Sequence, residues 1–110
     1  MVGNTYRYGL RGLYELTGNL HGKNVYTKHH GDYMIWFDGE VSYPDWVIGS
    51  SSNIDEGFYT YGYLQSNDDT NCPEDSEEWD EWWSSWITNQ DAFVRPYSPI
   101  GCCIKKSSTF

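Results

Sequence analysis

The gaps between the strand-like runs of this chain are too short to hold a crossover helix, and this limits its architecture more than any other feature. Five runs have strand length and are rich in aromatic and β-branched residues: Leu13 to Thr17, Asn24 to His29, Tyr33 to Phe37, Asp45 to Gly49 and Phe58 to Leu64. Turn formers stand between them. Gly18-Asn19 opens a turn-rich gap that closes at Gly22-Lys23, His30-Gly31-Asp32 turns the chain, Asp38-Gly39 is a strong turn dipeptide, and Ser50-Ser51-Ser52-Asn53 is loop by composition. A parallel connection needs a dozen or more residues of helical pattern, and none of these gaps supplies them. The runs therefore predict an all-β antiparallel meander.

Alternation within the runs says which faces are covered. In Asn24 to His29, Val25, Thr27 and His29 share one face while Asn24, Tyr26 and Lys28 share the other. Tyr33-Met34-Ile35-Trp36-Phe37 is unbroken apolar sequence, which predicts a central strand packed on both sides. Trp36 and Trp46 are expected in the core, and Gly62 marks a bulge or a close approach of backbone. A chain of 110 residues buries about two-thirds of its unfolded surface, enough for one modest core, so residues 1–110 are read as one domain. The expected form is a small sandwich or open barrel, with Ile100 to Ile104 returning as a last strand.

Charge and cysteine content narrow the partners. Sixteen Asp and Glu against seven Lys and Arg give a net charge of -9, which repels phosphate backbones and anionic lipid, so nucleic acid is not an expected ligand. No apolar stretch approaches the ~20 residues that cross a bilayer, and Met1-Val2-Gly3-Asn4-Thr5 lacks a signal-peptide profile, so membrane insertion is not expected, and the expectation at Met1 is a start with any leader removed. Of the three cysteines, adjacent Cys102 and Cys103 bridge each other only with strain; Cys72 with Cys102 or Cys103 is the natural pairing, in an oxidising compartment. In a cytosolic protein all three are simply small buried residues.

The stretch from Glu74 to Ile87 reads in two ways. Trp79, Trp82, Trp83 and Trp86 lie at i, i+3, i+4 and i+7, the stripe of an amphipathic helix, and Pro73 followed by Glu74 and Asp75 suits a helix start. A short helix within 74–88 is therefore one expectation. Against it, Trp and Ser are mediocre helix formers, and the closely spaced carboxylates repel one another at i+3 and i+4.

The order of motifs favours strand and turn. Gly12-Leu13-Tyr14, His21-Gly22-Lys23-Asn24-Val25-Tyr26, Tyr33-Met34-Ile35-Trp36, Trp46-Val47-Ile48-Gly49, Cys72-Pro73, Trp79 and Cys102 follow one another along most of the chain. In this order they resemble a short β-rich module that recurs, often in tandem, in secreted and surface proteins of invertebrates and in protist proteins. The resemblance implies an extracellular β fold in which the later tryptophans alternate with turns. It implies no enzymatic activity and no particular ligand. Here His21 stands where the module has Asn, and Cys103 is additional.

No motif names a reaction. Asp68, Asp69, Glu74 and Asp75 make an oxygen-rich loop of the type Ca²⁺ takes, but the spacing fits no EF-hand loop, and a solvated acidic loop is the simpler reading. Asn53, Asp55 and Glu56 form a weaker cluster of the same kind. His29 and His30 point to opposite faces of a strand, and the cysteine spacing matches no zinc pattern. Ser98 and Ser50 to Ser52 lack a G-x-S-x-G setting, while the many carboxylates sit in one run rather than on facing strands, so a small hydrolase is an alternative without a signature. What remains is recognition. Exposed Trp rings beside Asp, Glu and Asn can stack on sugar rings or on a protein partner. Strand alternation sends Trp82 and Trp83 to opposite faces, so about two of Trp79, Trp82, Trp83 and Trp86 are expected to be exposed. The reading is a non-catalytic extracellular module that binds a glycan or a protein through these four residues, needs no cofactor beyond a candidate Ca²⁺, and has as its alternative a structural repeat that self-associates.

Overall fold

The computed structural model describes residues 1–20, 22–29, 31–38, 45–50, 63–66, 70, 72–82 and 85–95. These form nine strands: β1 (Val2–Gly3), β2 (Tyr14–Leu20), β3 (Lys23–Lys28), β4 (Tyr33–Asp38), β5 (Asp45–Ser50), β6 (Leu64–Ser66), β7 (Trp79–Trp82), β8 (Trp86–Asn89) and β9 (Phe93–Val94). Strands β2 to β8 are neighbours in chain order, each antiparallel to the next, in one seven-stranded open meander. The other two, β1 and β9, pair as a separate ribbon. The fold is all-β, and the sheet does not close into a barrel.

The register explains the two-sided core. Tyr26 lies opposite Ile35, Ile35 opposite Ile48, and Ile48 opposite Leu64, so these side chains line one face. Val2, Leu10, Ala92 and Val94, from the N-terminal segment and the β1–β9 ribbon, complete the apolar cluster on that side. On the opposite face Val25, Trp36 and Val47 form a smaller buried cluster, with Leu20 and Met34 against it. The apolar run at β4 feeds both clusters, as a strand buried on two sides must.

Two expectations are corrected. The turn expected to open at Gly18-Asn19 begins later: β2 runs on to Leu20 through a register shift between Leu16 and Gly18, since an extra residue there is absorbed as a bulge. No helix forms over 74–88 among the described residues; Pro73–Asp75 is a single 3-10 turn, and a β7–β8 hairpin follows it. A helix would have put every Trp on one stripe, whereas the hairpin buries the Trp79 ring and leaves Trp82 and Trp86 exposed. Of the run Phe58 to Leu64, only Tyr63 and Leu64 are described, and Leu64 begins β6. Residues 100–104, with Cys102 and Cys103, lie outside the described residues, as do Gly62, Asp68, Asp69, Trp83 and the cluster at 53–56.

Candidate functional site

Trp79, Asp80, Glu81 and Trp82 alternate along β7, so Trp79 and Glu81 face the main core while Asp80 and Trp82 face away from it. Trp79 is 1% exposed, so it leaves the candidate binding face and joins the core. Trp82 lies directly opposite Trp86 on β8, and the two are 40% and 41% exposed. Their rings meet edge to face, with centroids 5.5 Å apart and planes at 63°. That geometry places the positive edge of one ring on the negative face of the other.

Two residues along the same face, about 7 Å by strand rise, Asp80 lies opposite Thr88, and the Thr88 hydroxyl donates to Asp80 Oδ1 at 2.9 Å. Gln65 of β6 pairs with Asp80 on the other side. The face thus carries an aromatic pair next to a row of side-chain oxygens and an amide. Apolar ring faces with adjacent hydroxyl-binding groups are what a sugar ring requires.

A buried carboxylate holds this hairpin in place. Glu81 has no exposed surface. Its Oε2 accepts from the Thr5 hydroxyl at 2.6 Å and the Arg7 backbone N–H at 3.2 Å, and its Oε1 accepts from the Tyr6 N–H at 3.0 Å and the Asn89 amide at 2.9 Å. The same Asn89 amide donates to the Asn4 carbonyl at 3.0 Å. A buried carboxylate is tolerable only with its lone pairs filled, and here the donors come from the N-terminal segment and the neighbouring strand. Arg7 extends the tie, donating to the Trp82 carbonyl at 3.3 Å and lying 4.2 Å over the Tyr63 ring. In sequence Glu81 is indistinguishable from the other acids of its run by composition; its place two residues from Trp79 on an alternating strand is the signal that separates it.

The other candidate residues are dispersed. Glu74 and Asp75 sit on the 3-10 turn, half-buried and exposed, and no group of three metal-ligating side chains occurs among the described residues. His29, just past β3, sets its Nε2 against the Glu15 carboxylate of β2. Cys72 is buried, and no described cysteine is free. Among the described residues no helix is long and apolar enough to cross a membrane. Comparison with protein-family models, with curated proteins and with solved structures finds no match.

Proposed function

We propose that the chain is a non-catalytic extracellular recognition module that binds glycan on the sheet face carrying Trp82 and Trp86. The observation that carries this reading is the pair itself: two tryptophans some 40% exposed, packed on each other and not into the core. Exposed Trp is costly in water, and the other described tryptophans, Trp36, Trp46 and Trp79, are buried. The hairpin under them is fixed by the Glu81 network, so the platform needs little ordering on binding. That no described cysteine is free supports the extracellular part of the proposal, with Cys102 or Cys103 as the disulfide partner of Cys72.

An array of immobilised glycans tests the reading, with Trp82→Ala alongside. The expected result is a defined set of sugar ligands whose signal falls at least tenfold in the variant while thermal unfolding is unchanged. An array at background, or binding that survives Trp82→Ala, refutes it.

One observation favours a second reading, self-association as a structural repeat. Within the seven-stranded sheet β8 is an edge strand, and Trp86, Ile87 and Thr88 on it are exposed in succession. An uncovered edge with apolar side chains is a template for another strand.

A further inference from the structure

The opposite side of the same hairpin carries a second feature that the Trp pair does not explain. Ile87 alternates with Trp86 and faces the N-terminal segment, where it lines an open cleft of about 420 Å³ with Tyr6, Tyr8 and Arg11. Tyr8 is 76% exposed, Tyr6 50% and Ile87 38%, so three large side chains present apolar surface around one guanidinium. The cleft is within the size range of small-ligand sites, yet its walls leave most of an occupant in water, which suits one unit of a polymer better than a free small molecule.

Arg11 is held in one orientation. Its Nε donates to the Thr5 carbonyl at 2.9 Å, and its guanidinium lies 4.3 Å over the Tyr8 ring. With Nε engaged and one plane covered, the terminal Nη pair is the part of the fork left to meet a ligand, and that end takes a carboxylate in two parallel hydrogen bonds. Local charge agrees. The first fourteen residues contain Arg7 and Arg11 and no carboxylate, although the whole chain carries a net charge of -9. The Glu81 carboxylate under this segment is enclosed by its own donors.

We propose that the Tyr6–Tyr8–Arg11–Ile87 cleft is a second subsite, one that takes a hexuronate unit of an acidic polysaccharide. The tyrosine rings and Ile87 receive the C–H face of the pyranose, and the Arg11 Nη groups receive its carboxylate. The subsite rests on the glycan reading given above, but it uses the other face of β8 and none of the residues of the Trp pair.

Titration calorimetry with tetragalacturonate and with neutral galactotetraose, on the full chain, separates the two. The expected outcome is at least tenfold tighter binding of the acidic tetramer, a preference lost in Arg11→Gln and in Tyr8→Ala and weakened at 0.5 M salt. Tyr8→Ala removes an exposed wall without touching a side-chain hydrogen bond, so it remains informative if Arg11→Gln unfolds. Equal affinity for the two tetramers, or a preference that survives both variants, overturns the subsite and leaves the Trp platform standing. Acidic binding that is lost in Tyr8→Ala yet indifferent to Trp82→Ala supports the subsite and counts against the platform. No binding of either tetramer overturns the subsite.

Discussion

Glu81 shows how much one side chain can decide. Removing it in Glu81→Ala takes an acceptor from the Thr5 hydroxyl, the Tyr6 and Arg7 amides and the Asn89 side chain, and leaves the Arg7 N–H with the Thr5 oxygen and Asn89 with the Asn4 carbonyl. The expected cost is roughly 3–5 kcal/mol of unfolding free energy, measured by urea denaturation, which is far more than for exposed Asp75→Ala. Tyr26 makes a pH prediction of the same kind. Burial pushes its phenol up to about 12, despite the Asn24 amide that donates to its oxygen, and burial raises Tyr14 in the same direction, its hydroxyl donating to the Leu10 carbonyl. The unfolded chain gives up these protons near pH 10 and the folded chain only above it. Stability is therefore intact below about pH 10 and falls as pH rises toward 12, by roughly 2 kcal/mol for Tyr26 alone, and Tyr26→Phe should flatten that alkaline slope.

At the scale of elements, β7 and β8 turn a tryptophan-rich run into two populations. Trp79→Ala should cost roughly 3–5 kcal/mol, since it empties a core position, while Trp82→Ala should change stability by less than about 1 kcal/mol. Thermal unfolding of the two variants checks this directly, and equal losses would mean that both rings belong to the core. The strand runs at β3, β4 and β5 were legible because their alternation and turn residues are local signals. The hairpin was less so. Trp79, Trp82 and Trp86 have helical spacing in sequence, yet two four-residue strands paired antiparallel produce the same spacing while sending the rings to different faces.

For the molecule as a whole, edge strand β8 bears on association. Sedimentation velocity at increasing concentration should show a monomer if the Trp face serves a ligand, whereas a concentration-dependent dimer abolished by Ile87→Lys would favour the repeat reading. Calcium bears on the acidic loop: if Glu74 and Asp75 are only solvated, Trp fluorescence stays flat through millimolar Ca²⁺.

The sequence by itself determined the all-β class, the antiparallel order and the burial of Trp36 and Trp46, because turn residues and period-two alternation act between near neighbours. Tertiary structure alone decided which tryptophan of the acidic run faces out, that Glu81 is an internal anchor, and that Tyr6, Tyr8 and Arg11 meet Ile87. Each of those depends on the N-terminal segment crossing to a hairpin some 75 residues further on. No local pattern encodes a contact of that separation; it forms only when burial of the shared core brings the N-terminal segment onto the hairpin.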